Sequence, residues 1–136
     1  MTFNLRFTAL HEYSTDSDGI TLPIVLGDGQ RKVKVMARVD TGSTFCVFER
    51  GYADALGLDL ESGDPITIST VMGSFRAFGH TLTLSTLDYS FDVTVYFAGH
   101  ESFGRNVLGR RGWLDQLRVG IVEYESKLYL SRYDEA

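Results

Sequence analysis

Apolar residues recur at every second position along much of this chain. Val33, Val35, Ala37 and Val39 alternate with Lys32, Lys34, Met36 and Arg38, the period of a strand with one buried face. The same period predicts strands around Leu82 and Leu84, and from Phe91 through Val93 and Val95 to Phe97. Phe3, Leu5, Phe7 and Ala9 predict that the chain opens as a strand. Ile20 to Leu26 reads as a strand in which Pro23 removes a ladder donor, which suits an edge. Ile66 and Ile68 mark another strand, and Val119 to Glu123 with Lys127 to Leu130 form a closing pair. Helical spacing is rarer. Tyr52, Ala53 and Leu56 share one face over Glu49 to Leu56, with Gly57 placed as a C-terminal cap. Trp113, Leu114 and Leu117 suit one face of a second short helix, with Trp113 in the core.

Turn signals separate these runs. Gly27-Asp28-Gly29 predicts a tight turn, Met72-Gly73-Ser74 a hairpin tip, and Asp88-Tyr89-Ser90 the start of another hairpin. Glu12 to Gly19 and Gly99 to Arg105 are polar loops, and the tail from Ser131 to Ala136 is polar. About nine short strands with turns between them predict an all-β barrel or sandwich with one or two short helices. At 136 residues, residues 1–136 form one domain by length, and no repeat, linker or low-complexity segment divides them.

One strand carries chemistry at its end. The run from Val33 to Val39 delivers Asp40 to a turn, followed by Thr41, Gly42, Ser43 and Thr44 and then the apolar Phe45-Cys46-Val47-Phe48. Gly42 can take backbone angles that a residue with a Cβ resists. Three hydroxyls lie beside the carboxylate as donors. A phosphoryl-accepting aspartate would also need a phosphate cradle and magnesium-binding carboxylates on a parallel sheet. Neither βαβ alternation nor a glycine-rich phosphate loop is present.

Asp40-Thr41-Gly42-Ser43 resembles the active-site signature of aspartic proteases. One such string in a short chain resembles the retropepsin-like branch, in which two identical chains each donate one aspartate. Val107-Leu108-Gly109, followed by Arg110, resembles that family's late hydrophobic-hydrophobic-glycine element. The resemblance spans residues 20 to 131 and implies a closed acid-protease barrel with one active-site motif per chain. It also implies an aspartic endopeptidase, active as a homodimer on an extended peptide, with Asp40 catalytic. Thr41 would tie the two active-site loops across the axis, and the Gly42 amide would donate to the carboxylate. Ser43 would donate its hydroxyl to ionised Asp40 and so favour its charged form, giving an acidic optimum that Ser43→Ala would raise. Met72, Gly73 and Ser74 would form a flap tip, and Arg110 would brace the aspartate loop. The alternative is a non-catalytic relative that keeps the barrel for peptide binding or assembly.

Composition narrows the partners. A net charge of −5 argues against nucleic acid. Arg31, Lys32 and Lys34 read as a solvated strand face, and Arg110 with Arg111 as a turn. No apolar run reaches membrane-spanning length, and Met1 to Phe7 lacks the form of a signal peptide. The lone Cys46 cannot form an internal disulfide, which fits a reducing cytoplasm, and its apolar setting predicts a buried, inert thiol. His11, His80 and His100 have no ligand spacing and read as surface or loop residues, so neither a metal nor another cofactor is expected.

Overall fold

The alternating run before Asp40 folds as strand β3 (Lys32–Val39), with Val35 and Ala37 buried and Lys32, Lys34 and Met36 exposed. The computed structural model describes residues 1–135, so Ala136, the end of the predicted polar tail, lies outside the described residues. Among them are ten strands and one α-helix. β1 is Ala9–Glu12 and β2 is Thr21–Gly27. After β3 come β4 (Val47–Phe48), α1 (Arg50–Ala55), β5 (Asp64–Thr70), β6 (Gly73–Thr86) and β7 (Tyr89–Ala98). The chain closes with β8 (Val107–Leu108), β9 (Leu117–Val122) and β10 (Lys127–Arg132).

Seven strands pair in the order β2-β3-β8-β4-β7-β6-β5. A further antiparallel pairing of Ile24–Gly27 with Thr83–Thr86 joins β2 to β6 and closes six of them into a ring. β5 is left outside the ring as an edge strand on β6. The remaining three form a separate antiparallel sheet, β1-β10-β9. Inside sit Leu22, Ile24, Leu26, Val35, Ala37, Phe48, Leu84, Val95, Phe97, Leu108 and Trp113. Trp113 is fully buried, as its sequence setting predicts, although its indole N–H has no partner among the described residues. The histidines are less peripheral than expected. His11 and His80 are half-buried strand residues whose Nε2 atoms bond the carbonyls of Thr21 (2.9 Å) and Leu60 (3.0 Å), while His100 is an exposed loop residue.

Local chemistry explains the turns. Asp28 Oδ1 accepts the amides of Gln30 (2.9 Å) and Arg31 (2.7 Å), which also hold its carboxyl below the usual range. Gly57 ends α1 at φ +71°, the left-handed cap for which glycine is suited. Pro23 sits in the half of β2 that pairs with β3 alone, before the ladder to β6 begins at Ile24. The edge expected there therefore holds for that half of the strand.

Four expectations are corrected. The opening strand begins at Ala9, not Phe3. Phe3 and Leu5 are exposed because β10 ends at Arg132, and no strand lies opposite the earlier residues. The helix expected after Gly109 is a single 3-10 turn, Leu114–Gln116. The amides of Leu114 and Asp115 bond the carbonyls of Gly109 and Arg110, five residues back, and Gly112 sits at φ +105°, so the four-residue ladder of an α-helix does not form. The hairpin tip is Val71-Met72. Thr70 pairs with Gly73, which makes Gly73 and Ser74 the first residues of the return strand. The second hairpin is shifted similarly, with Thr86 paired to Tyr89 across Leu87-Asp88.

Candidate active site

β3 and β4 are not neighbours in the sheet, because β8 is inserted between them. β8 runs parallel to β3 (Arg38 beside Val107, Val39 beside Leu108) and antiparallel to β4. The turn that joins β3 to β4 must therefore cross the end of β8, and that turn is Asp40–Thr44. Its backbone is tied on both sides. Asp40 N–H donates to the Leu108 carbonyl (2.9 Å), and Ser43 N–H donates to the Asp40 carbonyl (3.1 Å). From the other side the amides of Arg110 and Arg111 bond the carbonyls of Ser43 and Thr44 at 2.8 Å each.

Gly109 makes this crossing possible. A Cβ there would lie 2.3 Å from the Phe45 carbonyl oxygen and 2.7 Å from that of Ser43, both backbone atoms that cannot move aside. Its amide points at Cys46 Sγ, 3.4 Å away. Burial pushes the Cys46 thiol up to about 12, against the smaller opposing pull of that amide, so the thiol stays protonated. The inert, buried cysteine expected from the sequence is thus part of the floor beneath the turn.

The carboxylate itself is exposed. Gly42 N–H donates to Asp40 Oδ1 at 2.9 Å, the amide contact expected for this glycine. Ser43 behaves otherwise. Its hydroxyl donates to the Phe45 carbonyl (2.7 Å) and not to Asp40. That carbonyl lies against Gly109, where the absence of a Cβ leaves room for it. Thr41 is exposed. Arg110 braces the aspartate loop through its amide, while its side chain is exposed.

Asp40 opens onto a cleft of about 310 Å³ walled by Gly42, Ser43, Thr44, Phe45 and Val47 on one side and Thr67–Thr70 of β5 on the other. The fold thus brings together Asp40 to Ser43 and Val107 to Arg110. Met72, Gly73 and Ser74 do not enter this cleft. They line a neighbouring cavity of about 510 Å³ with Phe75, Phe103 and Arg105, which meets the cleft at Thr70. The sequence reading did not single out Thr67 to Thr70 or Phe45 as cleft residues. Alternation around Ile66 and Ile68 was the available signal, since it fixes which β5 side chains share a face. Among the described residues no cluster of three His, Cys, Asp or Glu side chains could hold a metal ion. Among the described residues no helix is long and apolar enough to cross a membrane.

No family model matches the chain, and no curated protein matches it. Solved structures do. A retropepsin-like aspartic protease from Rickettsia conorii superposes with a TM-score of 0.63 at 20% identity, over 90% of this chain and 97% of that one. EIAV protease, complexed with the inhibitor HBY-793, superposes with a TM-score of 0.55 at 17% identity, over 71% of this chain and 86% of that one. This chain therefore has the retropepsin-like all-β fold, with its sheet closed into a ring and a single Asp-Thr-Gly-Ser turn at the inserted strand.

Proposed function

We propose that residues 1–136 form one retropepsin-like domain that acts as an aspartic endopeptidase, with Asp40 catalytic and two copies completing one site. The observation that carries this reading is the setting of Asp40. Its carboxylate is presented to a cleft by a turn tied down on both sides, with one oxygen held by the Gly42 amide. The cleft's other wall is an edge strand. An edge strand offers unpaired N–H and C=O groups to an extended peptide, so recognition would be by strand addition with side-chain pockets.

Peptide hydrolysis needs a water made nucleophilic and a carbonyl made electrophilic. One carboxyl cannot be both base and acid at once. Two of them close together hold one proton between them, because both cannot comfortably be charged. The ionised Asp40 takes a proton from water as it attacks the carbonyl carbon. The protonated Asp40 of the partner subunit gives its proton to the carbonyl oxygen. Collapse of the tetrahedral intermediate returns a proton to the leaving amine. Symmetry places the two-fold axis between the aspartates, and the exposure of Asp40, Thr41 and Gly42 leaves that face open to a second copy. The hairpin ending at Val71-Met72 would close over the bound peptide as a flap. A lone, buried Cys46 suits a reducing compartment such as the cytoplasm.

Cleavage of a peptide library at acid pH tests the proposal. Wild-type protein should cut, with specific activity rising as protein concentration drives dimerisation. Asp40→Asn should lose activity by at least about a thousandfold, since a neutral amide cannot serve as the base. Cleavage that survives in Asp40→Asn overturns the assignment. Peptide binding without cleavage in the wild type would point instead to the non-catalytic module.

A further inference from the structure

Two arginine side chains lie beside the Asp40 cleft. Arg110 and Arg111 are both exposed. Among the described residues the ion pairs are Lys127–Glu125 and Arg132–Asp134, so neither guanidinium is neutralised within the chain. Their amides hold the aspartate turn, but any residue other than proline supplies an amide. The choice of arginine needs a separate reason.

Position suggests one. Both arginines border a cavity of about 500 Å³ with Thr41, Thr44, Leu114 and Asp115. Thr44 also walls the Asp40 cleft, so the two spaces meet at that residue. The Arg111 guanidinium carbon lies 5.8 Å from the centre of the Phe45 ring, and Phe45 walls the Asp40 cleft as well. That position holds a cation over the face of a cleft-lining ring, and the exposed guanidinium keeps N–H groups for a ligand. The nearest competing anion in that cavity, Asp115, is engaged elsewhere. Its Oδ1 accepts the Gly112 amide (3.0 Å) and the Gln116 side-chain amide (3.3 Å), and it pairs with neither arginine.

We infer that Arg110 and Arg111 select peptides carrying an acidic side chain a few residues from the scissile bond. A peptide lying along β5 advances about 3.3 Å per residue, so a Glu carboxylate displaced from the reacting carbonyl would reach the Thr44 junction. Guanidinium groups suit a carboxylate because their N–H pairs match its two oxygens. This deepens the proposed function and rests on the Asp40 cleft being the peptide cleft. An exposed ion pair is worth up to about fivefold, so two guanidiniums on one carboxylate give a preference of about tenfold.

The test uses a neutral substrate peptide in which a single Glu is moved position by position, each version matched by one with Gln. At one or two positions the wild type should favour Glu by about tenfold in kcat/KM, mainly through KM, and added salt should shrink the ratio. In the Arg110→Gln, Arg111→Gln double variant the Glu-to-Gln ratio should fall to about one. The same peptide pairs are titrated against Asp40→Asn by fluorescence anisotropy, where the preference should reappear as affinity. A preference in binding with no cleavage by the wild type would remove the protease reading and leave this one standing. A ratio near one at every position in both measurements overturns it. So does a ratio unchanged in the double variant, including the case where that variant only weakens self-association in ultracentrifugation.

Discussion

The two walls of the Asp40 cleft are built in opposite ways. The turn wall is tied by backbone hydrogen bonds from β8 and from the residues after it, and rests on a glycine with no room for a Cβ. The hairpin wall is paired along β5 and β6 but ends in Val71 and Met72, both almost fully exposed, with open space around Gly73 at φ +126°. One wall cannot shift without breaking the core, and the other can bend without touching it. Catalytic groups need fixed geometry, whereas a peptide needs a way in. Under the proposed function, each requirement falls to a different wall.

Substitutions should expose that division. Gly109→Ala should have the largest effect, since two carbonyls would have to move from the new methyl group. A loss of about 3 kcal/mol in urea unfolding is expected, together with any peptidase activity. A cost below about 1 kcal/mol would mean that the turn wall relaxes easily.

Raised pH should act next, through Cys46. Its thiol titrates near 9.0 when unfolded and at about 12 in the fold. Across that window the unfolded chain binds fewer protons than the folded one, so stability falls as pH rises. Below pH 9.0 the thiol contributes no slope. Wild type should lose on the order of 2 kcal/mol more than Cys46→Ala between about pH 9 and about pH 11. Tyr13, raised from 10.0 to about 12 first by its hydrogen bond to Glu123, adds a similar slope to both proteins and cancels in the difference.

Ser43→Ala removes the 2.7 Å bond to the Phe45 carbonyl and should cost about 1 kcal/mol. Because that hydroxyl does not touch Asp40, the pH–rate profile should keep its optimum. A shifted optimum would show that the hydroxyl turns to the carboxylate in the working enzyme. Met72→Ser, on the hairpin wall, should change stability by less than about 0.5 kcal/mol. If the hairpin is a flap, the same variant should raise KM. An unchanged KM with unchanged stability would leave the hairpin an ordinary surface feature.

Much of the turn wall is readable in the sequence. β3 alternates cleanly because one face meets a core, and Asp40-Thr41-Gly42-Ser43 carries its own chemistry. Gly109 is readable only with the family resemblance in mind, since nothing local requires a glycine there. The steric reason lies on Phe45 and Ser43, far away in sequence. Phe3 to Phe7 shows the reverse failure. Its alternation is as good as that of β3, but a strand needs a partner, and β10 stops short of it. Trp113, Leu114 and Leu117 have helical spacing, yet Gly112 at φ +105° and the five-residue bonds back to Gly109 and Arg110 break the helical ladder. The Ser43 hydroxyl had two acceptors within reach, and sequence cannot say which is better aligned. Thr67 to Thr70 went unnoticed as cleft residues because only the pairing of β5 with β6 sets them opposite Asp40.

Insertion of β8 between β3 and β4 has a consequence in time. Asp40 is synthesised well before Leu108, whose carbonyl anchors it. Until that later segment threads into place, the nascent chain has a carboxylate but no shaped turn around it. Formation of the turn is thereby tied to closure of the whole sheet, and under the proposed function half-made polypeptides would be inactive.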